Sequence, residues 1–218
     1  MRRDILILGS SGLAREVAMV VEQVNAREHR WRFRGFVSGA LEETGRDLGM
    51  GKVLGDDDWL LGSELEADLV VAIGYPRVRA RVLHRYLEAT GRFGFPNLVH
   101  PMASLDFRRV ELGRGNVVTA GVAMTCDIEI GDFNLFNLNM TVGHDGVIGS
   151  YNVFNPSVNL SGGVRIGDRV LAGTGCQVLE NLSVGSDSTI GAGAVVRSNV
   201  EAGQTVVGVP ARPVERKA

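Results

Sequence analysis

The stretch FNLNMTVGHDGVIG (136–149) sets His144 and Asp145 among small and aliphatic residues. A histidine accepts a proton near neutral pH, and a neighbouring carboxylate orients its ring. The pair is therefore a candidate general base for a reaction in which an amine or hydroxyl must lose a proton. The other histidines, His29, His84 and His100, lie far from it in sequence. Of the two cysteines, Cys126 has no histidine neighbour in sequence, and Cys176 falls on an inward repeat position and reads as core. Two cysteines are too few for a disulfide framework, and a reducing cytoplasm is the simplest setting.

The pair sits inside a repeat. From Leu112 the chain divides into sixteen hexads, each beginning with Leu, Val, Met, Ile, Phe or Ala, and glycine follows that residue at 113, 131, 149, 167, 185 and 203. Such units make a short strand and a turn; three close a triangular coil, and coils stack through parallel backbone hydrogen bonds about 4.8 Å apart. No coil buries its own core, so several are required. Sixteen hexads predict roughly five coils, on the order of 25 Å of prism. The expected fold is a left-handed parallel β-helix, an exception to the right-handed crossover rule. His144 is third in its hexad, where side chains point outward; the inward positions are Val142 and Gly146. A plain surface histidine is the competing reading.

The first hundred residues differ. DILILG (4–9) reads as a strand, the loop GSSG (9–12) follows, and LAREVAMVVEQV has helical spacing. FRGFVS (33–38) is a second strand, GDDDWLLGSEL opens a helix with acids at its N-terminus, and DLVVAIG (68–74) is a buried strand. The helix PRVRARVLHRYLEATG follows, with Pro76 in its first turn and Gly91 at its end. FGFPNLVH (93–100) closes a doubly wound α/β unit whose crevice lies at the strand C-termini. GSSG lacks the full dinucleotide spacing, but a glycine loop feeding a helix N-terminus suits an anion. The alternative is a tight turn with no ligand.

At 218 residues, 44% hydrophobic, the chain has material for a core. A net charge of -2 with interspersed signs leaves no basic footprint for nucleic acid. No apolar run approaches a membrane span, and the N-terminus reads as a first strand and not a signal peptide.

In ILGSSGLAREV, GFVSG, VLGDDDWL, VVAIGYPRVR, LVHPMASL, VGHDGVIG, LSGGVRIG, IGAGAVV and VVGVPARPV, the chain resembles the bacterial sugar acetyltransferases that join a Rossmann-like domain to a hexapeptide β-helix. These include the sialic acid O-acetyltransferase type and the bacillosamine and perosamine N-acetyltransferases. The resemblance implies an α/β Rossmann-like sugar-nucleotide domain over 1–102 and an all-β left-handed β-helix acetyltransferase domain over 103–218 with a short C-terminal tail. It implies acetyl-CoA as cosubstrate, a nucleotide-linked amino sugar as acceptor, a homotrimer and no metal. By the same resemblance His144 is the general base, Asp145 its acidic partner, and Gly162 supplies the backbone N–H for the thioester carbonyl. Ser161, Gly162, Thr174 and Ala192 would contact coenzyme A, Asn137 would line the acceptor side, and Ser11, Gly12, Leu13 and Gly74 would hold the sugar nucleotide. Arg197 or Arg212 would meet the 3′-phosphate. The chain departs from the family where Leu13 replaces a common histidine and where GFVSGALEE lacks a pair of aspartates.

Acetyl transfer from a thioester needs a neutral nucleophile, a base and a donor for the oxyanion, which these residue types supply without a covalent intermediate. O-acetylation of a sialic-acid-like sugar and a non-catalytic trimeric scaffold are the alternatives. A zinc site of the carbonic-anhydrase kind on the same fold needs three histidine ligands, and the repeat region offers His144 alone.

Overall fold

In the computed structural model, which describes residues 2–89 and 91–214, the N-terminal domain is a five-stranded parallel sheet flanked by helices. Its elements are β1 (Arg3–Leu8), α1 (Gly12–Glu28), β2 (Trp31–Ser38), β3 (Val53–Asp56), α2 (Asp57–Gly62), β4 (Ala67–Val71), α3 (Pro76–Glu88) and β5 (Phe93–Gly94), with sheet order β3-β2-β1-β4-β5. β1 and β4 are apolar throughout their inner ends because both sheet faces are covered. Asp56 caps α2, accepting from the Trp59 N–H at 2.8 Å. Thr90 and the tail at 215–218 lie outside the described residues.

From Leu98 onward the chain winds into a parallel β-helix. One face stacks the strands Leu98–Val99, Val117–Val118, Leu135–Phe136, Val153–Phe154, Leu171–Ala172, Thr189–Ile190 and Thr205–Val207, closed by the antiparallel Arg212–Pro213. A second face stacks Ala123–Met124, Thr141–Val142, Asn159–Leu160, Gln177–Val178 and Val195–Val196; a third stacks Val110–Leu112, Ile128–Ile130, Val147–Ile148, Arg165–Ile166 and Ser183–Val184. Register steps by eighteen residues, Leu135 opposite Val153 and Val153 opposite Leu171. From Val118 to Val196 every first hexad position is buried in the prism.

Two expectations need correction. The hexad phase breaks at the last coil: Val200 pairs with Val184 and Val206 with Ile190, a step of sixteen, while Ala202 is exposed. The corner after Val196 is two residues short. The run FGFPNLVH does not belong wholly to the α/β domain either, since Phe93–Gly94 joins its sheet and Leu98–Val99 joins the prism.

The domains are tightly joined. Val117, Leu135 and Val153 point outward from the first face yet are buried beneath the N-terminal domain, in one cluster with Val17, Val20, Val21 and Val24 of α1. Beside them lies Arg79 of α3, completely buried. Its guanidinium donates to the carbonyls of Phe133 (2.6 Å) and Asn134 (3.4 Å) in the prism and of Val71 (3.0 Å) and Ile73 (3.2 Å) at the end of β4. Burial pushes its pKa down to about 9, so the charge persists at neutral pH.

Inside one prism corner runs an asparagine ladder. Asn97, Asn116, Asn134 and Asn152 each use Oδ1 to accept the backbone N–H of the coil above, at Asn116, Asn134, Asn152 and Val170, over 2.7–2.9 Å. Three of them occupy the inward fifth position of every third hexad from Leu112 to Val153, where most other hexads place Val, Ile, Leu, Met, Ala or Cys.

Candidate active site

His144 stands at the corner between the strands Thr141–Val142 and Val147–Ile148. The corner is pinned from both sides: the Asp145 N–H donates to the Cys126 carbonyl one coil below (3.2 Å), and the Gly163 N–H donates to the His144 carbonyl from the coil above (2.8 Å). Asp145 turns the chain at φ +57°, a conformation that Asp tolerates better than most residues. Both side chains project outward and are about two-thirds exposed (65% and 68%). His144 Nδ1 lies 2.7 Å from Asp145 Oδ2. Because a carboxylate accepts, Nδ1 carries the hydrogen and Nε2 offers its lone pair.

That Nε2 lies directly over Gly162. A Cβ built at Gly162 would stand 2.6 Å from both Nε2 and Cε1 of His144. The Gly162 N–H makes no backbone hydrogen bond among the described residues, whereas its neighbours Ser161 and Gly163 donate to Val178 and His144. The corner thus offers a proton acceptor and an uncommitted backbone donor side by side. The expected result for Gly162→Ala is a displaced imidazole, with kcat down about tenfold or more and the circular dichroism spectrum unchanged. Wild-type turnover in a folded Gly162→Ala protein would show that the ring position does not matter.

The other expected contacts lie elsewhere. Asn137, Thr174 and Ala192 occupy the corner between the first and second faces, not the His144 corner. Asn137 is buried there, its Oδ1 accepting from the Leu138 N–H at 2.8 Å. Thr174 and Ala192 are exposed and one coil apart; a Cβ at Gly173 would strike the Ala192 nitrogen at 2.5 Å, so the coils close up here on glycine. Arg197 and Arg212 are exposed near the C-terminal end, the first just past Val195–Val196, the second in the closing antiparallel strand.

The loop residues converge at the carboxyl edge of the N-terminal sheet. Gly9, at φ +127°, packs where a Cβ would meet the Ala72 carbonyl oxygen at 2.7 Å. Ser11 precedes α1 and makes no side-chain cap bond, and Ser11 and Gly12 are exposed. Leu13 packs against Gly74. Sequence reasoning missed Glu43 at the same edge. Its Oε2 accepts from the Ser10 and Ser38 hydroxyls, both at 2.5 Å, and Oε1 accepts from Arg46. The Ser10 hydroxyl first, then Ser38, holds its carboxyl below the usual range. The acidic pair in ALEE, just past β2, was the available signal.

Among the described residues no group of three His, Cys, Asp or Glu is placed to hold a metal, and no helix is long and apolar enough to cross a membrane.

Residues 4–86 match the PglD N-terminal domain family, and residues 163–198 match the bacterial transferase hexapeptide family of six repeats. No curated protein sequence matches the chain significantly. Among solved structures, PerB from Caulobacter crescentus, crystallised with CoA and GDP-perosamine, is 30% identical with a TM-score of 0.85 over 97% of each chain. The acetyltransferase domain of PglB from Neisseria gonorrhoeae, bound to acetyl coenzyme A, is 28% identical with a TM-score of 0.88, over 98% of this chain and 100% of that one. WeeI from Acinetobacter baumannii is 28% identical with a TM-score of 0.85, over 96% and 99%. A full-length match at this identity, an α/β domain of the PglD type and a hexapeptide prism agree: the chain belongs to the PglD-type hexapeptide-repeat sugar acetyltransferases.

Proposed function

We propose that the protein transfers the acetyl group of acetyl-CoA to the amino group of a nucleotide-linked amino sugar. The observation that carries this reading is the His144–Asp145 pair with its free Nε2 above Gly162. The neutral amine attacks the thioester carbonyl carbon, and His144 Nε2 takes the proton the amine loses. The Gly162 N–H donates to the carbonyl oxygen as it gains charge. Collapse breaks the C–S bond, and the leaving thiolate departs as CoA. The acceptor precedent is PerB, whose crystals hold CoA and GDP-perosamine. Residues 1–102, apart from Leu98–Val99 which opens the prism, serve as the sugar-nucleotide domain, with Ser11, Gly12, Leu13 and Gly74 at the nucleotide; residues 103–218 serve as the transferase domain, with Ser161, Thr174 and Ala192 along the cofactor.

The two groups of site residues call for a homotrimer. One prism face is covered by the N-terminal domain, and another carries Glu111, Glu129 and Arg165 outward. The face between presents Ala123, Thr141, Asn159, Gln177 and Val195, without a charge. This face is bordered on one side by the His144 corner and on the other by the corner of Asn137, Thr174 and Ala192. Threefold packing about it brings His144 of one copy to Asn137 and Thr174 of the next, completing three sites. Light scattering should return three 23.4-kDa chains per particle; a stable, active monomer at micromolar concentration would contradict this.

The function is tested by assaying CoA release with acetyl-CoA and a panel of UDP- and GDP-linked 4-amino sugars, with mass spectrometry of the product. An alkali-stable acetyl group on the sugar nitrogen is expected. An alkali-labile ester on a hydroxyl would instead favour O-acetylation of a sialic-acid-like sugar, and no acetyl transfer would favour a scaffold.

A further inference from the structure

A cavity lies away from His144 within the protomer. It is a pocket of about 270 Å³ between α1 and the first coils, at the corner that holds Asn137. Ligand pockets run about 300–1,000 Å³, so this one fits a single sugar ring and not a whole sugar nucleotide. Met19 and Val20 of α1 wall it on one side, Met102 and Leu138 on the other.

Its polar lining is Thr119, Asn137, Gln23, His100 and the exposed carboxylate of Glu16. Thr119 is 3% exposed, lines the pocket, and its Oγ1 has no hydrogen-bond partner among the described residues. A buried hydroxyl left unpaired costs stability, and such a group beside a cavity is one that a ligand in that cavity can partner. Asn137 stands one coil above Thr119; its Oδ1 is occupied by the Leu138 N–H, which leaves its amide N–H groups to donate. Gln23 is the third. His100, buried below α1, accepts the Met102 N–H on Nδ1 at 2.9 Å, so its hydrogen is on Nε2, which donates to Gln23 Oε1 at 2.5 Å. That contact fixes the Gln23 amide with its NH₂ uncommitted. Two amide donors, one hydroxyl and the Glu16 carboxylate, which accepts, suit the hydroxyls of a sugar ring.

The column above them changes character. At the same corner position, coil by coil, stand Thr119, Asn137, Asn155, Gly173 and Gly191. Hydrogen-bonding side chains lie near α1 and bare backbone lies toward the C-terminal end. A ligand rich in hydroxyls fits the first part, and a thin acyl-carrier arm fits the second.

We propose that Thr119 and Gln23 read the hydroxyls of the acceptor sugar ring, and that His100 is a positioning residue which sets the Gln23 amide. This rests on the transferase reading above. The test measures steady-state kinetics of the full-length protein with acetyl-CoA and GDP-perosamine, and calorimetric binding of GDP-perosamine and of GDP alone. Thr119→Val keeps the side-chain shape and removes an unpaired hydroxyl, so it should fold. It should raise the KM and Kd for the sugar nucleotide about tenfold, the scale of one hydrogen bond, with the KM for acetyl-CoA and the Kd for GDP unchanged. Thr119→Ser should restore wild-type values. His100→Asn retains an acceptor for the Met102 N–H but cannot reach Gln23. It should match Gln23→Leu, and the double variant should be no worse than either. Unchanged sugar binding in Thr119→Val, beside normal wild-type turnover, overturns the proposal and leaves the function standing. If GDP-perosamine and its UDP-linked 4-amino analogues neither bind to nor are acetylated by the wild type, both are overturned.

Discussion

His144→Ala is expected to lower kcat for acetyl transfer by about 100-fold or more, the usual scale for a lost general base, with little change in KM for acetyl-CoA. The reasoning is geometric. The imidazole is oriented by the 2.7 Å contact with Asp145 and held over Gly162, and its outward placement at a prism corner means that nothing in the core depends on it. Its removal therefore leaves the thermal unfolding midpoint in place. Asp145→Asn removes the orienting charge and keeps the base, so its loss of kcat is smaller. Steady-state kinetics on the true acceptor, with a melting curve for each variant, checks all of this. Near-normal turnover in His144→Ala would mean that the amine arrives neutral and attacks without help, and the pair would need another role.

Arg79→Met is expected to destabilise the protein by on the order of 3–5 kcal/mol. Two effects oppose each other. Methionine relieves the desolvation of a buried cation, which alone would favour the variant. It also strips the donor from the carbonyls of Phe133, Val71 and Ile73, while that of Asn134 keeps the Val117 N–H at 2.9 Å. Each orphaned group costs roughly 1–3 kcal/mol, and the sum exceeds the relief. Swapping a buried ion pair for apolar residues is often harmless because both partners leave together; here the partners are main chain and cannot leave. In a protein of this size the midpoint should fall by roughly 10 °C. Chemical denaturation with calorimetry measures it, and an unchanged midpoint would show that water or a rearranged backbone satisfies the carbonyls.

The prism was legible because its core admits one kind of residue at one spacing, and the outward position of His144 followed from that phase. The shortened last coil was hidden. Val200 and Val206 are apolar whichever inward position they take, and Ala202 is small enough to look like a core residue although it is exposed. The asparagines at 116, 134 and 152 share a period of eighteen and were open to view, but asparagine on an inward position makes sense only once the next coil's N–H is seen above it. Arg79 was invisible for a related reason. Its partners are carbonyls, which every residue has, so no pattern of side chains announces them. Glu43 and His100 act through contacts across long loops of sequence, with Ser10 and Gln23, that spacing does not reveal.

The asparagine ladder also sets where the molecule comes apart. A stacked repeat opens from its ends, each coil held by its neighbours, and here the neighbours are unequal. From Asn97 to Val170 every junction has an extra internal hydrogen bond; beyond Val170 the ladder stops, and the closing coil is two residues short. Resistance to local unfolding therefore falls along the prism axis, from a stiff root beneath the N-terminal domain to a looser far end, and amide hydrogen exchange should follow the same gradient. If the acceptor and the cofactor bind as proposed, recognition falls on the rigid part and the cofactor lane on the yielding one, and a bulky thioester would enter and leave without disturbing the register of the coils below.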